Sequence, residues 1–457
     1  MLNGFKTSIY PKPSQKRILD TWGNGSNFIW NAKCLEDKYL ITFAKKFLPS
    51  GTYPKINQTY SQYKNDEHSP WLKKCPSQIL RNSASNWYST YQNFYKKRCN
   101  RPKVKKKGSY SILLTKELFK FEIDDKNKKI KLFIGTKTNN IGYLNVKWHN
   151  KKWINSLPGS LRIRKTLYGK YKLSFCYGEE IKEIEPKAWL DYLKMQKEEK
   201  LNELILGVDR GVNVICATDD DRLFNPTVEE SKNIEICELK KKRYQKKIAR
   251  QIKTSKRRKK TKQRLAKIFN KKKNINTNIC HYISKKLVDS KQKVIVFENL
   301  KTKNMTRSAK GYREKPGKNV KQKSGLNREI LNKSWHKIEQ FTIYKANRSD
   351  KTVFKVDPKY TSQECACCGH IHPQNRKGNK FKCVNKACGY ETHADNNAGK
   401  VIKKRAIKII LHSGTGLSKN RVLITPNFDI GRGGYIRPDL SQDAQARSKK
   451  RQKRRSA

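Results

Sequence analysis

Two short runs, Ile205-Leu206-Gly207-Val208-Asp209 and Val294-Ile295-Val296-Phe297-Glu298, stay apolar until their last residue and then end on a carboxylate. Uninterrupted apolar runs of this length suit strands covered on both faces, whereas a half-exposed strand alternates. A carboxylate at the end of such a strand must be paired, protonated or given a cation. A third acid, Asp395, opens a helical pattern that runs to about Leu411. Taken singly, each of the three reads most simply as a strand-end or helix-cap carboxylate. Asp219-Asp220-Asp221 is a competing acidic cluster, but it sits in a turn pattern and reads as solvated.

Charge changes that weighting. Lys and Arg number 105 against 38 Asp and Glu, a formal charge of +67 on 457 residues. Such self-repulsion is relieved when the chain folds around a polyanion, and it brings nothing to an enzyme of neutral metabolites. With 35% hydrophobic residues the chain is too apolar for a disordered basic tail alone. No apolar run reaches a membrane span, and no secretory hydrophobic region follows Met1. In a nucleic-acid protein, the order strand–Asp, strand–Glu, helix–Asp is that expected of an RNase H-like nuclease. There, carboxylates hold two divalent ions for phosphodiester hydrolysis.

Of twelve cysteines, five fall between Cys365 and Cys388. Cys365-x2-Cys368-Gly369 is followed after fourteen residues by Cys383-x4-Cys388-Gly389. Two such knuckles can offer four thiolates to one zinc, with each glycine permitting the tight turn. Four thiolates leave no open position, so the zinc is expected to be structural. The second knuckle is two residues wider than usual, and Cys367 is a spare thiol able to compete with Cys368.

Elsewhere the pattern is coarser. Gly4 to Pro11 alternates like a strand. Ser14 is expected to cap a helix through Trp22, Gly23-Asn24-Gly25 to break it, and Ser26 to cap the next. Trp71 to Tyr95 is helical, with Ile79, Trp87, Tyr91 and Phe94 as core. Strand-like runs at 131–134, 142–146, 161–164 and 171–175 suggest a small antiparallel barrel. Residues 179–200 read as a charged connector. Residues 239–273 hold 19 Lys or Arg and no acid, which favours a polyanion partner over a merely solvated helix face. Ile275, Ile279, Ile283 and Leu287 recur every four residues on a helix; another helix is expected over 326–346, and a strand over 352–356. After His412 periodicity fades, and 447–455 carries seven basic residues in nine, a tail expected to order only on nucleic acid.

Several blocks closely resemble the signature motifs of the TnpB family, transposon-encoded nucleases related to compact type V CRISPR effectors. They are Leu206-Gly207-Val208-Asp209-Arg210-Gly211-Val212, Val296-Phe297-Glu298-Asn299-Leu300, the stretch from Val356 through Thr361-Ser362-Gln363 to Gly369, and His393-Ala394-Asp395-Asn396-Asn397-Ala398-Gly399. Gly4-Phe5-Lys6, Trp71-Leu72-Lys73 and Gly431-Arg432-Gly433-Gly434 with Arg437-Pro438 fit as well. The widened second knuckle and Gly399-Lys400 depart from the family pattern.

The resemblance implies a multidomain α+β chain: an RNase H-like (RuvC) nuclease with an inserted zinc ribbon, plus an N-terminal β-barrel wedge enclosing a helical recognition domain. The expected bounds are 1–12 and 105–190 for the wedge, 13–104 for recognition, and 195–355 with 390–412 for the nuclease. Residues 356–389 would be a zinc ribbon that binds target nucleic acid, and 413–457 a basic tail. Asp209, Glu298 and Asp395 would hold Mg²⁺ in a two-metal site, where Mn²⁺ can substitute; Cys365, Cys368, Cys383 and Cys388 would hold zinc. Gln78, Arg81 and Asn82 would read a short motif in the target duplex. Lys240, Arg243, Arg257 and Arg258 would contact RNA or heteroduplex backbone. The implied partners are a guide RNA from the transposon end and double-stranded DNA, with base pairing reading sequence. A cytoplasmic, nucleoid-associated protein, monomeric on its guide and bound to no membrane, is expected. A nuclease-inactive RNA-guided repressor, a strand-joining transposase and a compact CRISPR effector are the competing readings.

Overall fold

The structure, a computed structural model, describes residues 2–53, 55–124, 129–149, 152–179, 184–312 and 314–425. The glycine-rich block at 431–438 and the basic run at 447–455 lie outside the described residues. The described residues form two compact units, one drawn from 1–181 and 239–269, the other from 182–238 and 270–425.

In the first unit, strands β1 (Leu2–Ile9), β7 (Tyr171–Gly178), β6 (Ser160–Lys165) and β2 (Tyr110–Thr115) pair antiparallel in that order. A second antiparallel sheet holds β3 (Phe119–Asp124), β4 (Lys129–Gly135) and β5 (Asn140–Leu144). An Ile9–Val146 bridge joins the two sheets, which share a core of Phe5, Ile112, Leu132, Trp153 and Phe175. Strands β2 and β3 escape the sequence reading.

The expected break at Gly23-Asn24-Gly25 does not occur. One helix runs from Pro13 to Tyr39, opened by Pro13 and by the Lys12 N–H donating to the Gln15 side chain at 2.9 Å, not by Ser14. Its two glycines are packing residues. A Cβ on Gly23 would lie 2.3 Å from the Tyr110 ring, and one on Gly25 would lie 2.7 Å from the Cys75 sulfur. Asp20 anchors the same helix to the sheet, accepting from Lys165 at 2.6 Å, Tyr110 at 2.8 Å and Tyr171 at 3.1 Å. The next long helix begins at Ser77, after a 3-10 turn over Pro70–Lys74, and ends at Tyr95. Its Ile79 and Trp87 are buried, but Tyr91 and Phe94 are only half-buried.

The second unit is built on a five-stranded sheet of order β10-β9-β8-β11-β12. Strand β8 (Ile205–Asp209) pairs antiparallel with β9 (Cys216–Thr218), which pairs with β10 (Leu223–Phe224). On its other side β8 runs parallel to β11 (Val294–Glu298), and β11 to β12 (Thr352–Val356). All residues of β8 and β11 are buried. Both faces are covered. Ile205, Val294, Val296 and Phe354 pack against Ile402, Ala406 and Ile410 of helix Ala394–Leu411. Leu206, Val208, Ile295 and Phe297 pack against Ile279, Ile283 and Leu287 of helix Lys256–Val288, and Ile338 of helix Trp335–Arg348. Each fully buried side chain of this size contributes about 1.5–3 kcal/mol of transfer free energy.

Three expectations are corrected in this unit. The charged connector is two helices, Pro186–Lys194 and Glu198–Leu204, whose Trp189, Leu190, Leu193 and Leu201 join the core under the charged exterior. The helix expected over 326–346 is two, Val320–Lys333 and Trp335–Arg348, parted by Ser334 at φ 57°. The acidic turn is not solvated throughout. Asp219 accepts from the Gly207 N–H at 2.7 Å and pairs with Lys403 at 2.8 Å, so it locks the sheet to the helix behind it.

Candidate functional site

The strand register places two of the predicted acids side by side. β8 and β11 run parallel, with Val208 beside Phe297, so Asp209 and Glu298 follow at the same end of the sheet. Glu298 is level with Val356 on β12, and Asp395 enters from the first turn of helix Ala394–Leu411, which packs across β8. All three are buried: Asp209 is 8% exposed, Glu298 5% and Asp395 3%. Burial raises Asp209 well above the usual carboxylate range, and the charges of Glu298 and Asp395 push it further. Burial raises Glu298 too, against the bond it receives from Thr361 and the nearby Arg210 and Arg405.

Four residues to which the sequence reading gave no role surround these acids. Arg210 donates to the Glu298 carbonyl, lies 4.9 Å over the Phe297 ring, and pairs with Glu339 at 2.9 Å. Glu339 also takes Lys355 at 3.0 Å; burial opposes its charge, yet the two cations hold its carboxyl below the usual range. Thr361 donates its hydroxyl to the Glu298 carboxylate. Arg376, on a hairpin between the two knuckles, donates to Asp395 Oδ1 at 2.8 Å. Arg210 adjoins Asp209 in sequence, a signal open to reading. Arg376 stands in a stretch with Lys377, Lys380 and Lys382, and nothing local marks it out.

The cysteine knuckles lie between β12 and the Asp395 helix. The four sulfurs of Cys365, Cys368, Cys383 and Cys388 all fall within 4.8 Å of one another. Among the described residues no other group of three or more Cys, His, Asp or Glu ligand atoms gathers so closely. Sulfur–sulfur distances are 3.8 Å for Cys365–Cys388 and 3.7 Å for Cys368–Cys383. Gly369 and Gly389 have φ of 76° and 59°, the left-handed turns that each knuckle needs. The widened second knuckle still delivers Cys388. Cys367 is exposed, and its thiol bonds toward Cys388. The backbone N–H of Tyr390 lowers the Cys388 thiol to about 7, while burial lifts Cys365 to about 12. The sulfur set fits a thiolate-bound metal. Asn375 stitches the knuckles together, donating to Gln363 and His370 carbonyls at 2.8 and 3.1 Å and accepting from Val384 at 2.9 Å.

The remaining predicted residues lie in the first unit. Gln78, Arg81 and Asn82 share one helix, but Arg81 pairs with Glu117 at 3.3 Å and Asn82 donates to the Leu113 carbonyl at 3.3 Å. Lys240, Arg243 and Arg257 are exposed on helices, whereas half-buried Arg258 spends its guanidinium on the Gln251 carbonyl.

The fold is similar to that of a Cas12f1 protein. A cryo-EM structure of a Cas12f1–sgRNA–target DNA complex aligns over 88% of this chain and 98% of its own, with a TM-score of 0.52 at 12% identity. A family described as "Probable transposase" matches residues 181–309, and one described as "Cas12f1-like, TNB domain" matches residues 335–402. The Escherichia coli K12 protein named "Putative RNA-guided DNA endonuclease InsQ" is 28% identical over 403 residues, spanning 88% of this chain and 91% of that one. A CRISPR-associated endodeoxyribonuclease Cas12f1 of Sulfoacidibacillus thermotolerans is 46% identical over 76 residues, 16% of this chain and 18% of its own. These matches agree with the resemblance of the motif blocks to the TnpB family. No helix among the described residues is long and apolar enough to cross a membrane.

Proposed function

We propose that this chain is a transposon-encoded, RNA-guided DNA endonuclease that cuts target DNA beside a short motif. The observation that carries the reading is the placement of Asp209 and Glu298 at the same end of two buried parallel strands, with Asp395 brought near them by the helix packed across β8, in an order typical of RNase H-like nucleases. Mg²⁺ held by these carboxylates would supply an activated water and stabilise the leaving oxygen. Thr361 orients the Glu298 carboxylate, and Arg210 fixes the end of β11 while offsetting local negative charge. Arg376 holds Asp395 in the free chain, and an incoming phosphate would compete with that carboxylate for its guanidinium.

Zinc on Cys365, Cys368, Cys383 and Cys388 would brace the ribbon and take no part in the chemistry. The strands of the first unit would form the wedge, its helices the recognition part. Exposed Lys240, Arg243 and Arg257 would grip guide or heteroduplex backbone, and Gln78 with Arg81 would meet the motif duplex. Asn82 serves this less well, since it is tied to β2. A monomer on its guide RNA, in the cytoplasm at the nucleoid, fits this role. The test is to sequence RNA that copurifies with the chain, then offer that complex a plasmid library with a matching target and randomised flanks. Cleavage confined to one short flanking motif supports the reading. Absence of a discrete copurifying RNA contradicts it.

A further inference from the structure

The segment 357–366 leads from β12 into the first knuckle and touches both sides of the acid site. Its Thr361 bonds Glu298. Its Glu364 and Ala366 flank Cys365, and a single side chain grips both. Asn397 Nδ2 donates to the Glu364 carbonyl at 2.8 Å, and Asn397 Oδ1 accepts from the Ala366 N–H at 3.0 Å. Asn397 is 0% exposed and stands two residues after Asp395, in the first turn of the same helix. Both ends of its amide are therefore committed to backbone, which fixes its orientation. Two turns on, Arg405 takes the Glu364 carboxylate at 2.8 Å and the Asp357 and Lys359 carbonyls at 3.1 and 2.5 Å. The segment is thus stapled along the helix that carries Asp395.

Resting on the nuclease reading above, we propose that Asn397 is a positioning residue: it ties Asp395 to the first cysteine knuckle, so that metal on the four thiols sets the placement of this acid. Asp395 hangs between two attachments, its own helix start and Arg376 of the ribbon hairpin. The Asn397 clamp keeps these in register. Without it the ribbon shifts against the helix, and Arg376 draws Asp395 with it. Cysteine ligation and acid geometry become one mechanical unit, with Cys365 one bond from each clamped residue.

The test uses the full chain loaded with zinc, unaltered and as Asn397→Ala and Asn397→Asp. Aspartate keeps the acceptor for Ala366 but faces the Glu364 carbonyl with an oxygen, so it breaks one bond and preserves shape. Zinc content, Mn²⁺ affinity by electron paramagnetic resonance without nucleic acid, steady-state cleavage, and amide exchange at residues 394–397 before and after zinc chelation are measured. Both variants should keep zinc, bind Mn²⁺ about tenfold more weakly, and lose kcat with KM within about twofold. Chelation should speed exchange at 394–397 in the unaltered chain; in the variants exchange is already fast and no longer responds. Unchanged Mn²⁺ affinity with zinc-responsive exchange in the variants would overturn the proposal. So would joint loss of zinc and thermal stability in the aspartate variant, the deciding one if alanine fails to fold. Zinc-coupled exchange that the variants abolish, in a chain that never cuts guided DNA, would uphold the positioning role and reject the nuclease.

Discussion

Gly207 of β8 and Gly399 of the helix behind it are in contact: a Cβ built on Gly207 would lie 2.2 Å from the Gly399 carbonyl oxygen. A Cβ on Gly399 would in turn meet the Asp219 N–H at 2.9 Å. Asp209 follows Gly207 by two residues, and Asp395 precedes Gly399 by about one helical turn. The glycine contact therefore sets how closely the helix can bring Asp395 to Asp209. It also gives a physical reason for Gly399, one of the departures from the family pattern.

Gly207→Ala should force the helix away from β8. Overpacking of this kind costs about 1–3 kcal/mol. Cleavage should fall more than the loss of folded protein accounts for, because the two acids separate. Denaturant unfolding beside cleavage rates normalised to folded protein checks this; a variant with full activity per folded molecule contradicts it.

Cys365→Ser or Cys383→Ser should lower zinc content and melting temperature together, since a structural metal contributes folding free energy. Cys367→Ser should change neither, because this exposed thiol lies outside the set of four. Metal analysis and thermal unfolding of the three variants decide it. Equal zinc loss in all three would reject the ligand assignment.

The raised Asp209 and Glu298 carboxyls have a consequence for stability. The folded chain keeps their protons at pH values where the unfolded chain, near the ordinary carboxylate values of ~4, has lost them. Metal-free protein should therefore lose stability as pH rises from that value through the higher folded-state values, then level off. Asp209→Asn should show less of this loss, so its advantage in melting temperature grows over the same window. Mn²⁺ should restore the unaltered chain and not the variant. Parallel stability–pH curves for the two proteins would contradict the carboxylate coupling.

The run 239–273 should contact nucleic-acid backbone. Neutralising Lys240 with Arg243 should weaken guide-RNA binding most at low salt, and lower the slope of log K against log[salt] by roughly 0.7–0.9 per lost contact. Sequence preference should not move. A salt series by filter binding checks both points, and an unaltered slope returns this segment to solvent.

How legible the molecule is in its sequence depends on how local the cause is. The positions of Asp209 and Glu298 at strand ends are legible because five-residue buried strands announce themselves, and that of Asp395 because a helix begins there. The cysteine set was readable from spacing alone. Gly23 and Gly25 misled because glycine signals a break when only neighbours are considered; the Tyr110 ring and Cys75 sulfur that require them come from far along the chain. The break at Ser334 hides inside a continuous helical period. Trp189 and Leu193 were masked by the charges around them. Arg376 is one cation among many, and only the folded hairpin singles it out.

The central claim is that Asp209, Glu298 and Asp395 form a site for strand scission. Each should be replaceable by alanine with the fold intact, because burial and then the neighbouring acids raise Asp209, and removing an acid relieves part of that cost. The direct measurement is cleavage of a guided target plasmid in Mg²⁺, beside target binding and thermal unfolding on the same preparations. The account predicts that Asp209→Ala, Glu298→Ala and Asp395→Ala each lose cleavage by orders of magnitude while binding and melting temperature hold or rise. Retained cutting by Asp209→Ala or Glu298→Ala, or cutting lost only together with binding and stability, would contradict it.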